Sequence, residues 1–259
     1  MVKTFKKIYI FALLLFLYAP IVVMAVYSFN ASKTSKIWGG FTLKWYASLF
    51  ANTQIFSALM YTLVIALVAT AFSSALGTLA ALGISGMRQR TKNIMLAVNY
   101  LCIINPDIII GVSLMLVFAF MKLPFGLLTM FISHSVFCTP VVVMSVLPLI
   151  AKFDRHLLDA AYDLGAKPAY ALRTIVLPQI RPGILTGALL SFTLSIDDFM
   201  VSFFTTGSGV TNLSIYVYTS ARRGISPEVN ALSVLMIFVV FTLLLIVNLR
   251  MRKTKKEFE

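Results

Sequence analysis

Charge is scarce in this chain, and acid is scarcer still. Of 259 residues, 12% are charged and nine are Asp or Glu. A soluble domain carries about 25% charged residues, so this composition cannot clothe an ordinary water-exposed surface. Histidine and cysteine number two each, too few cysteines for a disulfide framework. Cys102 and Cys138 fall inside apolar stretches and read as buried free thiols, with an intramembrane disulfide as the alternative. No G-x-x-x-x-G-K-[ST] loop occurs, nor a G-x-G-x-x-G after a strand, so the chain brings no nucleotide site of its own. No internal repeat or low-complexity tract breaks it up.

What is there is apolar. Hydrophobic residues make up 59% of the chain and the mean hydropathy is +0.92, the composition of an integral membrane protein. Six apolar stretches, at about 8–29, 56–84, 94–121, 126–150, 180–206 and 228–249, are each long enough to cross a bilayer as a helix. The expected fold class is therefore an all-α membrane protein with six transmembrane helices, a single transmembrane domain over 1–259. The first stretch follows Lys3, Lys6 and Lys7 as in a signal peptide, but its apolar core exceeds the usual 7–15 residues, so an uncleaved first span is expected.

The net charge of +13 could suit nucleic acid, but the basic residues sit in short loops and tails rather than on one soluble face. No nucleic-acid partner is expected; membrane lipid is. With the N-terminus placed in the cytoplasm, 16 of the 22 basic residues fall on that side: Lys3, Lys6, Lys7, then Arg88, Arg90, Lys92, then Lys152, Arg155, Lys167, Arg173, Arg181, then Arg250, Arg252, Lys253, Lys255 and Lys256. The other six are Lys33, Lys36, Lys44, Lys122, Arg222 and Arg223. The positive-inside rule then puts both termini in the cytoplasm. On the outside, residues 30–55 carry Trp38, Trp45 and Tyr46, suited to the membrane interface. Ser226-Pro227-Glu228 reads as a cap, a first-turn proline and a first-turn acid opening the last span.

The longest inside loop, residues 152–179, is patterned. Leu157, Ala160, Ala161 and Leu164 recur at i, i+3, i+4 and i+7, an apolar stripe on a short helix. Gly165 suits a left-handed helix cap, Pro168 the first turn of a second helix, and Pro178 a stop to that one. The pattern predicts a helix–turn–helix lying along the membrane surface, and on pattern alone this is either a docking surface or an interfacial anchor. The residues Asp159-Ala160-Ala161, then Tyr162-Asp163-Leu164, Gly165 and Ala166, with Ile175-Val176-Leu177-Pro178 downstream, resemble the EAA loop of ABC-importer permeases. That loop reads Glu-Ala-Ala, three residues, Gly, then Ile-x-Leu-Pro; Asp replaces Glu at 159, which keeps the charge and shortens the reach. The resemblance implies a type I ABC-importer permease fold, with Asp159, Ala160, Ala161, Asp163, Gly165 and Ala166 in a coupling helix seated on a separate ATPase subunit. ATP and Mg would belong to that partner, and this chain would need no cofactor.

Three of the nine acids, Asp107, Asp197 and Asp198, lie within apolar stretches, and no Lys or Arg lies in the interior of any span to pair with them. Each charged side chain near a helix centre costs ~2.5–3.5 kcal/mol on insertion scales, and such residues usually face a bundle interior or a wet cavity. Counted along straight helices, Asp107 and Asp197 both lie roughly 20 Å above the cytoplasmic helix ends. Asn105-Pro106 breaks the helical ladder just before Asp107, and broken backbone at this depth is tolerated where it lines a cavity. Ser191, Ser195, Asp198 and Ser202 stand at i, i+4, i+7 and i+11, a polar stripe that Thr193 and Asp197 widen. Two readings stand: the acids are hydrogen-bonded to hydroxyls in a helix contact, or with Ser191, Ser195 and Ser202 they line a pathway for a multiply charged amine. An anion pathway would call for Arg or Lys here.

Asn105-Pro106-Asp107-Ile108, the run from Leu190 through Asp198, the run from Ser226 through Leu232, and Gly40 through Tyr46 resemble the PotC-type permeases of spermidine/putrescine importers. The resemblance spans almost the whole chain. It implies polyamine transport across a bacterial inner membrane together with a PotB-like second permease, two PotA-like ATPase subunits and a PotD-like extracytoplasmic polyamine-binding protein. It also implies that the acids form a weak transit site and that the binding protein makes the initial selection. The alternatives are a permease for another organic cation or a metal complex and, from a different class, an ion-coupled secondary carrier with the acids as proton relay. A secondary carrier has no use for a coupling loop.

His134, between Ser133 and Ser135, invites an intramembrane protease reading. Immediate neighbours on a helix point away from one another, and no G-x-S-x-G element appears. A helix-contact or pathway-lining role is expected instead, with no catalytic residue in the chain. His156, in the inside loop, has no companion ligands, so no metal site is expected.

Overall fold

The computed structural model describes residues 2–32, 37–154, 156–223 and 227–256. Lys33, Lys36, Arg155 and Ser226 lie outside the described residues. Among the described residues the chain is helical throughout, apart from loops and one isolated bridge between Asn30 and Phe41. Its helices are α1 (Val2–Tyr27), α2 (Lys44–Ala51), α3 (Thr53–Ser85), α4 (Gln89–Ile104), α5 (Asp107–Phe120), α6 (Leu127–Ala151), α7 (His156–Asp163), α8 (Pro168–Ala171), α9 (Leu177–Asp197), α10 (Met200–Thr205), α11 (Leu213–Arg223) and α12 (Pro227–Lys256). The chain divides into two compact units, Met1–Phe56 with Tyr216–Glu259, and Ser57–Ile215.

Four described helical stretches are long and apolar enough to cross a membrane: Phe5–Tyr27, Thr53–Ser85, Leu127–Ala151 and Pro168–Asp197. A fifth follows if α4 and α5 are taken as one broken span. The expected sixth span, 228–249, falls on α12, of which the described apolar stretch is Pro227–Val239. Six expected apolar stretches thus correspond to four or five spans among the described residues.

Two expected spans are interrupted. Residues 94–121 are not one straight helix: α4 ends at Ile104, Asn105 and Pro106 are extended (ψ 136° and 138°), and α5 leaves at 104° to α4. Pro106 has no N–H for the ladder and forces Asn105 out of the helical region. Residues 180–206 break at Asp198, whose ψ of 124° ends α9 before α10 begins.

The stop expected at Pro178 does not occur. Helix α8 passes through a π-helical turn, Leu172–Val176, directly into α9. The Leu177 N–H donates to the Leu172 carbonyl, five residues back. This wider turn shifts the carbonyl register ahead of Pro178 and accommodates its ring where a regular ladder would clash. Burial of Ala171, Val176 and Ile180 holds the segment in place. The second helix of the inside loop is therefore the start of a span rather than a separate surface helix.

In the Ser57–Ile215 unit, α3, α6 and α9 share a core of Ala81, Ile84, Val142, Val143, Val146, Val176 and Ile180. Gly183 makes the α6–α9 approach possible: a Cβ there would meet Leu149 Cδ1 and the Ser145 carbonyl oxygen at 2.7 Å each, closer than packed atoms tolerate. Both cysteines are free, Cys138 buried and Cys102 half-buried.

In the other unit, Asn30 organises the outer segment. Its amide nitrogen donates to the Ile37 carbonyl, and its side-chain oxygen accepts from the N–H groups of Ser32 and Gly39. The Trp45 indole N–H donates to the Asn30 carbonyl at 2.6 Å. Pro227 is the first residue of α12, and Glu228 in its first turn accepts from Asn52 Nδ2 at 3.2 Å and Ser48 Oγ at 3.4 Å.

Candidate transit site and coupling surface

The two interrupted helices converge. A Cβ at Gly111, in the second turn of α5, would lie 3.2 Å from both the Met200 carbonyl oxygen and the Val201 Cα, at the start of α10. Asp107, the first residue of α5, is one turn earlier. Asp197 is the last residue of α9. The fold thereby packs the helix that begins at Asp107 against the start of α10, just past the α9/α10 break. Both Asp107 and Asp197 are exposed, as is Thr193.

Asp198 is placed differently from its neighbour. Its side chain is 6% exposed. The carboxylate accepts from the N–H groups of Val201 (3.2 Å) and Ser202 (2.7 Å) and so caps α10. The serines of the stripe are buried with it. Ser191 Oγ donates to the Cys138 carbonyl (3.3 Å), a side-chain tie between α9 and α6. Ser195 Oγ lies 2.7 Å from His134 Nδ1, and Ser202 Oγ lies 2.9 Å from His134 Nε2. Asn212 Nδ2 donates to Ser202 Oγ (2.7 Å) and to the Asp198 carbonyl (3.3 Å). The stripe therefore divides: Asp107 and Asp197 open outward at two converging breaks, while Ser191, Ser195, Asp198 and Ser202 face α6 in a buried polar knot.

His134 and Asn212 are the members that spacing along one helix could not reveal. Ser133 and Ser135 turn back to their own helix, donating to the carbonyls of Thr129 and Phe131. The residue types of a serine hydrolase do meet at Ser195, His134 and Asp198. Ser195, however, is 2% exposed, and Nε2 is nearer to Ser202 than to Asp198 Oδ2, at 3.6 Å. A nucleophile sealed in this way has no access to substrate or water.

The inside loop presents a second site. Helix α7 ends in a Schellman turn: the Ala166 N–H donates to the Ala161 carbonyl and the Gly165 N–H to the Tyr162 carbonyl, both at 2.9 Å, with Gly165 at φ +82°. Leu158 packs toward the core. The stripe expected to be apolar is turned outward: Leu157 is 44% exposed, Leu164 is 89% exposed, Ala160 is exposed and Ala161 half-buried. Asp159, Asp163 and Gly165 are exposed and Ala166 half-buried. Asp159 also lines a cavity of about 430 Å³, with Lys92, Tyr162, Ser85, Leu82 and Leu147 among its other walls. Leu157, Tyr162 and Leu164 are exposed together on this loop.

Residues 73–253 match the family model described as "Binding-protein-dependent transport system inner membrane component". The chain is 36% identical over 245 residues to the spermidine/putrescine transport system permease protein PotC of Escherichia coli K12, covering 94% of this chain and 93% of that protein. It is 37% identical over 232 residues to the putrescine transport system permease protein PotI of the same organism, covering 87% and 83%. Among solved structures, a bacterial ABC transporter involved in the import of the acidic polysaccharide alginate has a chain that superposes with a TM-score of 0.75 at 14% identity, over 95% of each chain. At that identity the likeness concerns the fold.

Proposed function

The chain belongs to the family of binding-protein-dependent transport system inner membrane components, and from that membership we propose that it is the permease subunit of an ATP-driven importer that carries polyamines inward. The observation that carries the substrate class is the pair of exposed acids, Asp107 and Asp197, at two converging helix breaks, with no Lys or Arg between Lys92 and Lys122 or between Arg181 and Arg222. Acids without cationic partners attract an amine, and interrupted helices at membrane depth are where transporters place their substrate sites. Similarity to PotC and PotI, whose names state spermidine and putrescine, points the same way.

The rest of the machine follows from what this chain lacks. It has no phosphate-binding loop, so hydrolysis of ATP falls to a partner ATPase that binds ATP and Mg. The exposed stripe of α7, with Asp159, Ala160, Ala161, Asp163, Gly165 and Ala166, is the surface that partner covers. Movement there shifts the balance between inward- and outward-open states. A second permease supplies the other wall of the pathway, and an extracytoplasmic binding protein delivers the polyamine. The 16-to-6 division of basic residues supports a cytoplasmic position for α7 and both termini.

Cells stripped of other polyamine importers and given the whole complex should accumulate labelled spermidine, and lose that uptake when this chain alone is omitted. Accumulation that persists without the chain would remove it from the pathway. Uptake of another cation with none of spermidine would reassign the substrate.

A further inference from the structure

Taking the transit-site reading as its basis, we propose that His134 is a positioning residue for Asp197: its ring clamps the two sides of the α9/α10 break and fixes the direction in which the acid is presented. The imidazole comes from α6 and is 1% exposed. One ring nitrogen meets Ser195, two residues before Asp197 on α9, at 2.7 Å; the other meets Ser202 on α10 at 2.9 Å. A neutral imidazole has one donor and one acceptor nitrogen, so in either tautomer a single ring satisfies both hydroxyls. Serine and histidine thus span an interruption that leaves the helical ladder open.

The remaining contacts close the knot on the buried side alone. Asp198 caps α10 through the N–H groups of Val201 and Ser202, and Asn212 ties Ser202 Oγ to the Asp198 carbonyl. Asp197 is the neighbouring residue on the open side of the same break. Without the ring, the hydroxyls of Ser195 and Ser202 lose their common partner and the angle between α9 and α10 is no longer set from α6. Asp197 then wanders from the end of α5 that carries Asp107. Protein supplied from a different helix to support a substrate-facing group is how a site on interrupted backbone is kept in register.

The test is a double-mutant cycle on spermidine transport by the full complex, with assembly followed by co-purification of the partner subunits. His134→Phe is expected to lower the maximal rate about tenfold and to leave the half-saturating concentration of loaded binding protein unchanged, because docking does not involve the break. In an Asp197→Asn background the same change should cost less than twofold, since the histidine acts through the acid. His134→Gln keeps a donor and an acceptor and should recover at least half of the rate. An equal tenfold loss in both backgrounds, or no loss in either, overturns the proposal. If the phenylalanine variant fails to assemble, Ser202→Ala, which removes one arm of the clamp, is read in its place: a loss confined to the native Asp197 background supports the clamp, and equal losses in both or none in either overturn it. An Asp197→Asn complex that transports at the unaltered rate overturns the transit-site reading and the clamp together, whereas sensitivity to Asp197→Asn with additive losses at His134 overturns only the clamp.

Discussion

Replacing Gly165 with proline should abolish the stimulation of ATP hydrolysis by loaded binding protein, a loss of at least tenfold. Gly165 holds φ at +82°, a conformation that proline, fixed near −65°, cannot adopt. Proline also lacks the N–H that here reaches the Tyr162 carbonyl at 2.9 Å. With it goes the partner bond from Ala166 to the Ala161 carbonyl, because both belong to one turn. Helix α7 is eight residues long, too short to hold its own end without that turn. The direction of α7 and the exposed stripe of Leu157, Ala160, Ala161 and Leu164 would both change. The measurement is ATPase activity of the reconstituted complex with and without loaded binding protein, beside co-purification of the ATPase. Normal stimulation would separate this loop from coupling.

Asp107→Asn and Asp197→Asn should each lower spermidine uptake about tenfold, equivalent to roughly 1.4 kcal/mol, and leave assembly intact. Each change removes a charge from an exposed position at a helix break without removing a contact that the fold uses. Asp198→Asn should behave differently. Its carboxylate accepts two backbone N–H groups at the start of α10, and an amide offers a single oxygen with two hydrogens that have no place in that cap. The expected result is less assembled complex, with the transport per complex reduced less than for the other two. Uptake assays normalised to purified complex distinguish the cases. Unchanged uptake in both Asp107→Asn and Asp197→Asn would favour acids held for helix contact over acids lining a path.

Much of this was legible in the chain because its signals are local. Apolar runs fall on helices, and a glycine after Leu164 marks the end of α7 as a left-handed cap. Asn105-Pro106 announces a break, and the chain breaks there. What the chain could not show depended on contacts made far apart. The partners of His134 lie 61 and 68 residues away, and no spacing rule connects them. The adjacent acids at 197 and 198 read as one polar group on a continuous helix. The interruption between α9 and α10 sends one outward and the other into a cap. Pro178 read as a stop because proline removes a ladder bond; a π turn over Leu172–Val176 re-registers the backbone and tertiary burial completes the span. In each case packing overrode a rule that is sound for an isolated helix.

The most direct test of the central claim is the ATPase rate of the complex reconstituted from this chain, its partner permease, the ATPase and the binding protein. Hydrolysis should run faster with spermidine-loaded binding protein than with the same protein empty. Equal rates in the two conditions would contradict an importer that this chain equips to carry polyamines.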